Sequence, residues 1–392
     1  MRPSIPRAVW TLGFVSMFMD ISSEMIHSLL PAFMVSSLGA STLAIGMVEG
    51  VAESTALIAK VFSGTLSDYF GRRKALAVLG YGLGALSKPL FALAGTINAV
   101  LIARFIDRIG KGIRGAPRDA LVADLTPAPI RGAAYGLRQS LDTVGAFIGP
   151  LLAILLMYAW SGSFRRIFWF AVIPGALAVA LLGSGVHEPA SSKRNSAGTP
   201  VKWGMVKELG GVYWWVVLVG AIFTLARFSE AFLILRARQN GLPDALTPAV
   251  LVLMNIIYAM VAYPAGHLAD RVDRRSLLAA GLLALIAADI ALARDGMLLL
   301  TACGVALWGL HLGLVQGLLS AMIAASAPEN LRGTAFGFFN LACGVAMFAA
   351  SGIAGLLWDK AGASATFHAG AIFAAAALAL VWGKQRSALK IK

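Results

Sequence analysis

Charge is what this sequence has least of. Asp, Glu, Lys and Arg make up 13% of its 392 residues, against about a quarter in a soluble globular domain. Hydrophobic residues make up 58% and mean hydropathy is +0.78. That excludes a soluble domain and indicates an all-α polytopic membrane protein. Acid is scarcer than base, 19 residues against 33, for a net charge of +14. An excess of base can signal nucleic acid, but here it is explained by membrane orientation, and no nucleic-acid partner is expected. Cysteine is almost missing: Cys303 and Cys343 lie in apolar stretches and suggest no disulfide framework. There is no nucleophile elbow, no H-E-x-x-H and no paired-cysteine zinc site. Neither an enzyme nor a cofactor- or metal-bearing protein is therefore expected. The opening residues, MRPSIPRAVW, lack a separate signal peptide with a small-residue cleavage site, so the first apolar run reads as a retained helix.

Apolar runs are what the chain has in abundance. They fall at about 8–36, 42–66, 75–95, 98–124, 133–158 and 166–186, and again at about 212–236, 247–269, 276–293, 297–325, 333–357 and 365–383. Each is long enough to cross a bilayer, giving twelve predicted transmembrane helices. The one long polar interval lies between the two sets of six. The domain reading is thus an amino-terminal bundle at 1–184, a cytoplasmic linker at 185–211 and a carboxyl-terminal bundle at 212–392. With both termini inside, 18 Lys and Arg fall in cytoplasmic segments and 6 in external loops. That bias predicts cytoplasmic termini in a cell (inner) membrane.

The halves repeat each other. Gly64-Thr-Leu-Ser-Asp68-Tyr-Phe-Gly71-Arg72-Arg73 is echoed 202 residues later by Gly266-His-Leu-Ala-Asp270-Arg-Val-Asp-Arg274-Arg275. Asp119 to Gly132 is echoed by Ser320 to Gly333 at an offset of 201. Two matches at nearly one offset indicate a duplicated six-helix unit. On these residues the chain resembles the major facilitator superfamily over essentially its whole length. Gly64, Leu66, Asp68, Gly71, Arg72 and Arg73 match its loop signature, with Tyr69 in place of a basic residue and Asp273 in place of a glycine in the second copy. Arg108 and Gly112 match its helix-4 motif. Gly136, Gly145, Gly149 and Pro150 are similar to its antiporter motif, whose final glycines are here Ala153 and Ile154. The resemblance implies alternating access around a central cavity lined by helices 1, 4, 7 and 10. It also implies a gate in which Asp68, Arg72 and Arg73, with Asp270 and Arg274 in the second copy, clasp neighbouring helix ends by charge.

Within the apolar runs, the fourth is anomalous. Wound as a helix, Arg104, Asp107, Arg108, Lys111, Arg114, Arg118 and Asp119 fall in an arc of roughly 140°. A charge in mid-membrane costs about 3 kcal/mol even on the lenient scale, so this row must face water or other charges. Gly110-Lys-Gly-Ile-Arg-Gly115 also matches the dinucleotide fingerprint G-x-G-x-x-G. That pattern has meaning only in a strand-to-helix turn; here the glycines are read as sites of close helix approach. Predicted helix 1 adds Asp20 and Glu24, one turn apart; helix 2 adds Glu49, Glu53 and Lys60; helix 5 pairs Arg138 with Asp142. At offset 201 the cations of helix 4 correspond to uncharged residues such as Val305, Gly309 and Leu312. The fold does not itself need the charge.

The carboxyl-terminal half offers Phe223, Arg227, Phe228 and Glu230, with Asn255, Tyr258, Trp308, His311, Gln316 and Phe338 as a more aromatic wall. His311 is read as a hydrogen-bonded core histidine. The expected substrate- and proton-coupling residues are Asp20, Glu24, Arg104, Asp107, Arg108, Lys111, Arg138, Asp142, Arg227 and Glu230. Many of them could equally neutralise one another in a buried network. The functional expectation is a monomeric, proton-coupled antiporter that exports a small amphipathic, anionic organic compound, protons and substrate contending for one charged cluster. The alternatives are an anion–proton symporter and, less favoured, a divalent metal exporter.

Overall fold

The computed structural model describes residues 5–70, 73–186, 209–269, 272–315, 317–328 and 331–383, which form helices and no strand. In chain order they are α1 (Arg7–His27), α2 (Leu30–Leu38), α3 (Thr42–Phe70), α4 (Arg73–Leu93), α5 (Ile97–Leu125), α6 (Arg131–Ala159) and α7 (Phe164–Gly185). Then come α8 (Gly211–Ala226), α9 (Ala231–Gln239), α10 (Pro248–Ala269), α11 (Arg274–Leu292), α12 (Leu298–Val315), α13 (Leu318–Ser326), α14 (Arg332–Ala361) and α15 (Ala363–Gly383). The twelve expected helices are all present, three of them broken. Predicted helix 1 divides at Ser28–Leu29 because Pro31 has no N–H and its ring crowds the carbonyl four residues back. Predicted helix 7 divides at Arg227–Glu230. Predicted helix 10 divides before α13, where Gly317 takes a left-handed φ of 73° that a side chain would resist.

Ten helices among the described residues are long and apolar enough to cross a membrane. The two expected spans outside that set are α1–α2 and α5, the two that carry the acids and the row of cations. Exposed Ile102, Leu155, Trp169, Leu299 and Trp382 form the kind of apolar surface that a bilayer, not water, would cover.

The chain divides into two compact units, one of Met1–Leu38 with Thr55–Pro200, the other of Gly39–Ser54 with Val201–Lys392. The start of α3 thus packs with the carboxyl-terminal helices. The reason is visible at its first turn, where the backbone N–H groups of Thr42 and Leu43 donate to the Asp359 carboxylate of α14, each at 2.9 Å. A carboxylate at a helix N-terminus satisfies donors that have no partner within the helix.

In the first unit α1 lies against α6 and α7, and α4 against α5 and α7. Their core is Val9, Leu12, Val15, Met19, Ala77, Tyr81, Leu121 and Leu182, all fully buried. In the second unit α11 lies against α12 and α15, and α8 against α14 and α15. Phe228 there packs on Phe232, Trp308 and Phe367 at ring separations of 5.4, 5.5 and 5.6 Å.

The glycines of α6 serve the first of these contacts. A Cβ on Gly145 would lie 2.6 Å from the Met17 carbonyl oxygen and 3.1 Å from the Asp20 Cβ, while Gly136 faces open space. We therefore expect Gly145→Ala to cost about 1–3 kcal/mol through overpacking and Gly136→Ala to cost little. Thermal unfolding of the purified protein in detergent checks both; equal stability of the two variants would contradict this packing.

Candidate functional site

The charges of α5 are answered by α1, α4 and α6 in successive layers. In the first, Lys88 of α4 donates from Nζ to Asp107 Oδ1 at 2.6 Å and to Ser23 Oγ at 3.0 Å. Ser87 Oγ donates to the same carboxylate at 3.3 Å, and Arg108 Nε lies 3.8 Å from Asp107 Oδ2. Lys88, Arg104, Asp107 and Arg108 are all buried, at 1–4% exposure. In the second layer Arg114 stacks over the Tyr81 ring at 4.8 Å and approaches Asp20 Oδ1 at 3.7 Å. In the third, Arg118 donates to Asp119 and to Ser16 Oγ, both at 3.1 Å, and lies 3.8 Å from Asp142. Arg138 donates to Asp142 Oδ2 at 2.5 Å.

Every cation in this description has an acid within 4 Å or is buried among the paired groups, with one exception. Lys111 is exposed and, among the described residues, makes no ion pair within 4 Å and no hydrogen bond. Asp20 and Glu24 are the partly exposed acids beside it, with side chains 26% and 20% exposed. Glu24 lies 3.5 Å from His27 Nδ1. The 3.7 Å between Arg114 and Asp20 is beyond hydrogen-bond length, so this pair is held by charge alone. The arrangement can therefore exchange partners at Asp20, Arg114 and Lys111, and is locked at Lys88–Asp107 and Arg138–Asp142.

The glycines within α5 act as spacers. A Cβ on Gly110 would lie 2.6 Å from the Gly80 carbonyl oxygen, and one on Gly112 would overlap Ala59, whereas Gly115 faces open space. Close approach at two of the three explains the match to the nucleotide fingerprint.

The expected aromatic wall of the carboxyl-terminal unit is corrected by the structure. Phe223, Phe228, Trp308 and His311 are buried, at 3%, 4%, 0% and 0% exposure, so they are core and not lining. His311 Nδ1 bonds the Gly281 carbonyl at 2.8 Å, as expected of a core histidine. Asn255, Tyr258 and Phe338 are half-buried, and Gln316 lies outside the described residues. Arg227 sits in the α8–α9 break, 5.9 Å over the Phe223 ring, with no carboxylate partner among the described residues. Glu230 is at the start of α9, where its carbonyl accepts from Leu233 N–H at 3.0 Å.

Of the expected gate, Gly71, Arg72 and Asp270 lie outside the described residues, as do the side-chain surroundings of Gly64 and Asp68. Arg73 Nη1 donates to Asp124 at the end of α5. Arg274 is the first residue of α11. Two acids were missed from sequence. Asp124 gave no signal, since its partner lies 51 residues away. Asp289 did give one, as a lone acid in an apolar run.

A family model described as Major Facilitator Superfamily matches residues 12–351 and again 231–390. A relative described as an uncharacterized MFS-type transporter of Methanocaldococcus jannaschii is 33% identical over 380 residues, covering 94% of this chain and 93% of its own. Among solved structures, the human organic anion transporter MFSD10 is similar at a TM-score of 0.68 and 17% identity, covering 97% of this chain and 100% of its own. The nucleoside transporter NupG is similar at 0.76 and 13%, covering 96% and 98%.

Removing one partner of a buried pair leaves the other charge uncompensated. Lys88→Ala should therefore cost about 3–5 kcal/mol, and Lys88→Met combined with Asp107→Leu should recover much of it. Thermal unfolding of single and double variants checks this; a double variant less stable than Lys88→Ala would contradict the pairing.

Proposed function

Since the chain belongs to the Major Facilitator Superfamily, and so is a multi-pass membrane transporter rather than an enzyme, we propose that it carries a small amphipathic organic anion coupled to protons across the cell membrane, with both termini cytoplasmic. The observation that carries the reading is Lys111: an exposed cation in no close ion pair among the described residues, beside the loosely held Asp20–Arg114 pair. An anion bound at Lys111 would draw Arg114 from Asp20, and a proton on Asp20 would likewise release Arg114 towards the anion. Each event assists the other, and linkage makes that assistance reciprocal. Ligands that assist each other's binding travel together, so this geometry favours proton–anion symport.

Export by antiport is the second reading, and the partial motif Gly136, Gly145, Gly149-Pro150 favours it. The packing of Gly145 on α1 accounts for part of that motif without reference to direction. Among the described residues no group of three His, Cys, Asp or Glu is placed to hold a metal ion, which gives metal export no support.

The test uses purified protein in liposomes with a labelled organic anion chosen by thermal-shift screening. Under an imposed pH gradient, symport accumulates the anion on the alkaline side and antiport on the acidic side; no response to the gradient would refute proton coupling. Asp20→Asn should abolish gradient-driven accumulation and spare downhill exchange. Lys111→Gln should raise KM about tenfold, roughly 1.4 kcal/mol of lost binding, and an unchanged KM would remove Lys111 from the site.

A further inference from the structure

Asp289 of α11 belongs to the other compact unit. It is fully buried, and neither carboxyl oxygen has a hydrogen-bond partner among the described residues. The fold makes room for it. A Cβ on Gly370 of α15 would lie 2.6 Å from Asp289 Oδ2 and 3.0 Å from the Phe228 ring. The carboxyl group thus occupies a slot that exists because residue 370 has no side chain. One wall of that slot belongs to the α8–α9 break.

The charged and titratable groups on the surrounding elements are otherwise engaged or turned outward. On α12, His311 is bonded to Gly281 and Cys303 is exposed. On α15, His368 is exposed. At the break, Arg227 lies over Phe223. Arg236 of α9 donates to the Leu292 carbonyl at 2.6 Å, one turn along α11, and to Asp295 at 2.7 Å. Its Nη2 is buried without a partner among the described residues. A carboxylate in such surroundings, without cation or donor, is far costlier than the neutral acid.

We propose that Asp289 is a proton-binding site of the carboxyl-terminal unit, holding one proton as a carboxylic acid in the Gly370 slot. Its use in transport rests on the proton-coupled reading above; the site itself does not.

The test is infrared difference spectroscopy of the protein in phosphatidylcholine liposomes at neutral pH, in water and in deuterium oxide. A protonated-carboxyl C=O band is expected in the wild type and in Asp20→Asn, and is expected to be missing in Asp289→Asn. No such band in the wild type, or an unchanged band in Asp289→Asn, would overturn the proposal. Should Asp289→Asn not fold, Gly370→Ala keeps the carboxyl and closes its slot. The band should then shift, and an unshifted band in that variant overturns the proposal equally. A band that behaves as expected in a protein indifferent to pH gradients would defeat the coupling reading and leave this site standing.

Discussion

Everything in the amino-terminal unit depends on one constraint, that the cations of α5 cannot be left in hydrocarbon. A helix of 29 residues with a charged arc is stable in a bilayer only if its neighbours supply acids, hydroxyls and aromatic faces along the whole arc. Tyr81 from α4, Asp20 and Ser16 from α1, and Asp142 from α6 do this in layers, while Lys88, Ser87 and Arg138 answer the acids Asp107 and Asp119 of α5. The small residues at the contacts follow from the same need. Gly110 lets α4 come close enough for Lys88 to reach Asp107, and Gly145 lets α6 lie against the turn of α1 that carries Asp20.

The fold was largely legible because its signal is one-dimensional. Apolar runs of membrane length, a single polar interval and two echoes at nearly one offset require only counting. The breaks were less so. Pro31 announces the first, but nothing local marks Arg227–Glu230, where α8 stops and α9 begins. The membership of Gly39–Ser54 in the second unit also escaped a reading by chain order. Its anchor, Asp359, is more than 300 residues away, and contacts of that separation leave no trace in periodicity.

The candidate site was legible in composition and not in pairing. Helical spacing placed the cations of α5 on one arc and Asp20 with Glu24 on one face, yet it could not say which acid meets which cation. Asp107 takes Lys88 from a different helix, Arg114 takes Asp20, and Lys111 is left exposed. Aromatics misled for a physical reason: Phe, Trp and His at helical spacing serve a packed core as readily as a binding wall, and Phe228 and Trp308 belong to the core. The lone acid Asp289 deserved more weight than paired ones, since pairing gives a buried charge a structural role and isolation leaves that role unfilled.

The division between locked and exchangeable pairs is what connects this structure to transport. Lys88–Asp107 is a short, buried bond that ties α4 to α5, and Arg138–Asp142 is an equally short one along α6. Asp20, Arg114 and Lys111 form a looser, partly exposed group, in which the proposed function has an added anion and an added proton each alter the other's partner.

The most direct measurement is thiol labelling in intact membranes of single-cysteine variants, with Cys303 and Cys343 replaced by alanine. Lys111→Cys should react with a water-soluble, membrane-impermeant maleimide and be protected by the transported anion. Ile102→Cys, on the exposed apolar face of α5, should not react. Reaction at 102 with silence at 111 would mean that the cation row faces lipid, and would contradict the account at its root.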